Sequence, residues 1–172
     1  DGSRDAEIRT QRKKLTVFFS DIKDFTASTA KWQPEEIRFL LNSYFSEMSR
    51  IAYEHGGTLD KFIGDAVMAQ WGAPIGEPDD GDRAMSAALD MMTALDALNT
   101  RWTAEGRPTV QIGIGLNFGE AFAGNIGSER RLEYTVIGDT VNTASRLCSV
   151  AKKGATPYCS QGARKCPSTT PP

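Results

Sequence analysis

The sequence predicts an α+β fold: a ferredoxin-like βαββαβ core with an antiparallel-rich sheet and flanking helices. Three observations predict it. Short apolar, β-prone runs recur at Leu15–Ser20, Ala66–Trp71 and Leu132–Ile137. Between them lie two long stretches whose apolar residues repeat at helical spacing. Gly64-Asp65 and Gly138-Asp139 punctuate the pattern as turn signals. The order β-α-β-β-α-β, then β-β-α, fits this core better than a doubly wound parallel sheet.

Residues 1–14 are polar and end in a basic cluster, which reads as a linker or tail. LTVFFS, Leu15–Ser20, is a continuous apolar run and hence a central strand. Asp21 follows at once. A carboxylate at the end of a buried strand is held by the sheet yet open to a ligand. The backbone amides of Lys23 to Thr26 are candidate phosphate donors. Pro34 opens a helix whose apolar face carries Ile37, Leu40, Leu41, Tyr44, Phe45, Met48, Ile51 and Ala52, and Gly56-Gly57 stops it. This stripe reads as core packing.

Thr58–Gly72 is a hairpin with Gly64-Asp65 at its tip, because glycine accepts a positive φ there. It places Lys61 four residues before Asp65. A second helix presents Ala84, Ala88, Met91, Leu95, Leu98 and Trp102 on one face. TVQIGIGLN and GEAFAGNIG read as two strands joined around Asn117-Phe118-Gly119. Their glycines predict close approach to a ligand or a partner chain. After Leu132–Ile137, Asp139 caps a helix over Thr140–Val150. Asn142 and Arg146 project from one face of that helix, being i and i+4. Each of these polar residues also has a plainer reading, as a turn aspartate, a cap or a solvated face.

The 172 residues suffice for one domain, with 40% hydrophobic and 24% charged residues. A net charge of −2, from 20 basic and 22 acidic residues, argues against a nonspecific nucleic-acid or membrane-surface binder. No run approaches the roughly 20 apolar residues of a membrane span. Cys148, Cys159 and Cys166 lack CxxC spacing and predict a reducing, cytoplasmic setting.

Four stretches together, LTVFFSDIKDFT, GGTLDKFIGDAVMAQWG, GLNFGEAFAGNIG and EYTVIGDTVNTASRL, resemble the class III adenylate/guanylate cyclase catalytic domain. The resemblance implies that ATP is converted to 3′,5′-cyclic AMP and pyrophosphate. It implies two divalent ions, Mg²⁺ or Mn²⁺, on Asp21 and Asp65 with the Ile22 carbonyl, and phosphate contacts near Phe25 and Thr26. Asn142 would orient the ribose, and Arg146 would stabilise charge on the phosphates. Lys61 and Thr135 would read the base. Lysine only donates, so Lys61 matches the acceptor N1 of adenine and not the N1–H of guanine. A threonine hydroxyl both accepts and donates, so Thr135 discriminates less. Threonine there also resembles the subgroup stimulated by bicarbonate or CO₂.

The resemblance further implies a head-to-tail homodimer, with Asp21, Lys61 and Asp65 from one chain and Thr135, Asn142 and Arg146 from the other. An upstream regulatory domain is a further expectation. The same residues leave open a catalytically silent nucleotide-binding or dimerisation module. After Leu147 the resemblance fades. The domain is expected to span 15–151, with 152–172 an atypical, disordered tail that reads as truncated or non-native. Lys152 and Lys153 are candidate stand-ins for the lysine that contacts the triphosphate in the family.

Overall fold

The structure, a computed structural model, describes residues 10–154 and 157–159. The elements run β1 Gln11–Ile22, α1 Phe25–Thr29, α2 Pro34–Glu54, β2 Thr58–Ile63, β3 Ala66–Trp71, α3 Asp80–Ala104, β4 Ile112–Ser128, β5 Arg131–Ile137, α4 Asp139–Gly154 and β6 Pro157–Cys159. The main sheet has the order β2-β3-β1-β4-β5, with β6 parallel to β4. β3 inserts antiparallel between β1 and β2, and β4 pairs antiparallel with β1. This is the split βαβ arrangement of the predicted ferredoxin-like core.

Helices cover both faces, so the central strand is apolar on both. Phe18, Val67, Trp71 and Ile114 pack with Tyr44, Met48, Met91 and Trp102 of α2 and α3. Leu15, Val17, Phe19 and Met68 pack on the other face with Val136 and with Ala144 and Cys148 of α4. Burial pushes the Cys148 thiol up to about 12, so it behaves as a core residue. Pro34 is the first residue of α2, and Gly56 follows its end with φ 75°.

Three boundaries differ from the sequence reading. β1 begins at Gln11, inside the expected tail, because Gln11 to Lys14 pair with Ala123 to Glu120. The two strands expected around Asn117–Gly119 are one strand, β4. Asn117 there opposes Val17 and donates through Nδ2 to the Thr140 carbonyl at 3.0 Å, so helix α4 meets its polar need and no turn forms. α4 runs to Gly154 and β6 follows, so ordered structure passes Lys152, where the tail was expected to begin. The rest of that expected tail lies outside the described residues.

Gly113 and Gly115 of β4 serve the chain's own packing. A Cβ on Gly115 would collide with the Ala144 carbonyl and the Cys148 amide, and one on Gly113 with the backbone at Ala151 and Lys152. Helix and strand therefore touch backbone to backbone.

Candidate active site

The carboxylate end of β1 is the best-anchored point of the site. Ser20, fully buried, shares a 2.9 Å hydrogen bond with the Tyr44 hydroxyl. The β1–β3 register pairs Ser20 with Val67, which sets the hairpin tip beside Ile22. The Ile22 amide accordingly donates to Asp21 Oδ1 at 3.0 Å and to Asp65 Oδ2 at 3.1 Å. Gly64, at φ 61°, makes this tip possible. Burial, reinforced by the neighbouring Asp21 carboxylate, pushes the Asp65 carboxyl up to about 6.

Lys152 Nζ donates to Asp21 Oδ2 at 2.8 Å from the last turn of α4. Asp21, Ile22, Phe25, Thr26, Asp65 and Lys152 line one open cleft of about 410 Å³. Asp24, in a left-handed conformation at φ 52°, turns the chain into α1 along that cleft. Of the expected phosphate donors, the Lys23 amide is already committed to the Gln111 carbonyl at 2.8 Å.

This donor set suits a hard divalent ion. Two carboxylates converge on one amide, and burial together with the neighbouring Asp21 carboxylate raises the Asp65 pKa. Among the described residues there is no cluster of three or more His, Cys, Asp or Glu that would form a closed cage. Mg²⁺ is typically held by one or two carboxylates, with water and substrate phosphates completing its shell.

A second group of predicted residues lies elsewhere. Thr135 Oγ1 donates to Asp60 Oδ2 at 2.7 Å, and Lys61 Nζ lies 3.6 Å from Asp60 Oδ1 and 3.9 Å from Glu133 Oε2. β2 and β5 are opposite edges of the sheet, so this contact curls the sheet upon itself. Lys61 thus stands with Thr135 of the same chain. That corrects the expected division, which had put Lys61 with the aspartates and Thr135 on the other chain. The β-bulge between Leu59 and Lys61 is the local cause, since it turns both Asp60 and Lys61 toward β5.

The side chains of Asn142 and Arg146 are exposed on α4, and among the described residues neither has a hydrogen-bond or ion-pair partner. Neither lines the aspartate cleft. Asn142 lies ten residues before Lys152, about 15 Å along the helix axis. One chain therefore brings together the aspartates, and separately Lys61 and Thr135, but not the two groups.

Residues 8–161 match the family described as Adenylate and Guanylate cyclase catalytic domain. The chain belongs to this family. The match runs past Leu147, where the resemblance was expected to fade, and takes in the end of α4 and β6. Among solved structures, the cyclase domain is similar to the adenylyl cyclase CyaB from P. aeruginosa, with 44% identity and a TM-score of 0.80 over 83% of this chain and 74% of that one. It is also similar to the guanylyl cyclase Cya2, with 39% identity and a TM-score of 0.79 over 82% of this chain and 72% of that one. Adenylate cyclase 1 of Rhizobium meliloti is 38% identical over 88% of this chain and 23% of its own length. The chain spans about a quarter of the curated relatives it matches, 23% and 28% of the first two.

Sequence reasoning missed Asp60, and it named Lys152 only with Lys153, as a stand-in for the family's triphosphate lysine, without its contact to Asp21. Asp60 had one visible signal, its position beside Lys61 in LDKF. The contact of Lys152 with Asp21 had none, because the residues around Lys152 lack an apolar period. Among the described residues no helix is long and apolar enough to cross a membrane.

Proposed function

We propose that the domain converts ATP to 3′,5′-cyclic AMP and pyrophosphate, at two equivalent sites formed head to tail between two copies of the chain. The convergence of Asp21 and Asp65 on the Ile22 amide carries this reading, since it presents hard anionic ligands to the cation that a triphosphate brings. Two Mg²⁺ or Mn²⁺ ions, held by Asp21, Asp65 and the Ile22 carbonyl, would neutralise the triphosphate and acidify the ribose 3′-hydroxyl. Phe25 and Thr26 flank the phosphates.

The other copy supplies the rest: Asn142 orients the ribose, and Arg146 balances charge that develops as pyrophosphate leaves. Their separation from the aspartates within one chain supports this division. Lys61 and Thr135 read the base from that same copy. Lys61 donates to adenine N1, where guanine would present an N–H. The apolar side chains of Phe62, Phe118, Phe122, Leu132 and Ile137 are exposed and favour burial against a second copy. The two copies are related by a two-fold axis, so both sites are alike.

The share of the relatives that is matched supports a larger protein with a regulatory domain. The cysteine pattern supports a cytoplasmic setting. Thr135 makes bicarbonate a candidate activator, which is tested by adding bicarbonate at constant pH. The primary test is product analysis: purified protein with ATP and Mn²⁺ makes cyclic AMP, and Asp65→Ala makes none. Folded protein that makes no cyclic AMP from ATP overturns the reading.

A further inference from the structure

Asp60 is buried, its side chain 1% exposed, between the two residues assigned to the base. Its Oδ2 accepts from Thr135, while Oδ1 has no hydrogen-bond partner and lies 3.6 Å from Lys61 Nζ. Burial raises its pKa, opposed by the Thr135 hydroxyl, the Lys61 ammonium and the Val136 amide, all of which favour the ionised form. The Thr135 hydroxyl spends its single hydrogen on Asp60 Oδ2, 2.7 Å away, and two lone pairs remain on Oγ1.

We propose that Asp60 is a specificity-determining positioning residue: by taking the Thr135 hydrogen, it makes Thr135 an obligate acceptor for the 6-amino group of adenine. Guanine presents an oxygen at that position, and two acceptors facing one another are repelled. A threonine that is ambivalent in isolation thereby becomes selective. Asp60 also stands beside Lys61, so one buried carboxylate orders both base readers. The inference rests on the assignment of Lys61 and Thr135 to the base.

The test is a double-mutant cycle of Asp60→Asn, Thr135→Val and the pair, with kcat/KM measured for ATP and for GTP. Competition binding of non-cyclisable ATP and GTP analogues is measured in parallel. In Asp60→Asn, one side-chain oxygen remains where the carboxylate had two, and the donor-only Lys61 ammonium beside the Oδ1 position draws it, which turns the Asn amide N–H₂ toward Thr135. The hydroxyl is then released to donate. The ATP/GTP ratio is expected to fall about five- to tenfold, the worth of one hydrogen bond. Thr135→Val should lower it similarly, and the double variant no further than Thr135→Val alone.

Equal losses for both nucleotides in Asp60→Asn would reduce Asp60 to a structural tether and overturn the proposal. So would effects that multiply in the double variant, or a wild-type ratio in Thr135→Val. Wild-type protein that makes no cyclic AMP would instead refute the proposed function, and the analogue-binding ratios would still report on Asp60.

Discussion

Replacing Asp65 by asparagine should stabilise the metal-free protein at neutral pH while abolishing its activity. Asp65 and Asp21 share the Ile22 amide, and the Asp65 carboxyl is raised from 3.8 to about 6. Raising a pKa by one costs the ionised form about 1.4 kcal/mol, so the rise at Asp65 would amount to about 3 kcal/mol. Asp65 is half-exposed, and solvent screening reduces this to about 1 kcal/mol. Because the folded-state pKa is raised, the contribution to stability is present below pH about 4 and is lost as pH rises through about 6. Urea unfolding in the presence of a chelator checks this. Asp65→Asn should exceed wild type by about 1 kcal/mol at pH 7.5, with the gap closing toward pH 4. Saturating Mn²⁺ should stabilise wild type more than the variant. An asparagine variant less stable than wild type at pH 7.5, or a gap that ignores pH, would refute the electrostatic argument.

Lys152→Met should lower the melting temperature of the metal-free protein, because the 2.8 Å ion pair with Asp21 is partly buried. The same variant should bind Mn²⁺ several-fold more tightly in calorimetry without nucleotide, since a tethered cation no longer competes; unchanged affinity would contradict this. Arg146→Ala should lower kcat about 100-fold or more while leaving the melting temperature unchanged, because the side chain is exposed. Gly115→Ala should destabilise the fold by about 1–3 kcal/mol, measured by denaturation, because a Cβ there meets the backbone of α4.

Helices α2 and α3 were legible almost residue by residue, since their stripes at Leu40, Tyr44 and Met48 and at Ala84, Met91 and Leu98 are the buried faces observed. The Gly64-Asp65 tip was equally legible, because a tight hairpin leaves glycine few substitutes. β4 was not. Asn117 and Gly119 carry turn chemistry locally, and only the packing of α4 across them cancels it. Asp21 stood out at the end of a buried strand and Asp65 at a hairpin tip, while only the resemblance implied that the two act together. The placement of Lys61 with Thr135 was not, because no local pattern shows that the two sheet edges meet. The contact of Lys152 was hidden for a similar reason: its partner Asp21 lies 131 positions away in the chain.

The central claim is that each site needs two chains, one bringing Asp21 and Asp65 and the other Asn142 and Arg146. Mixing Asp65→Asn with Arg146→Ala protein tests it most directly. Each variant alone has two damaged sites. In an equal mixture about half the dimers are mixed, and each mixed dimer holds one intact site. Cyclic AMP production should therefore recover to about a quarter of the wild-type rate, given the two-fold symmetry of the dimer. A mixture no more active than the two variants apart, under conditions where mixed dimers are seen to form, would contradict the account.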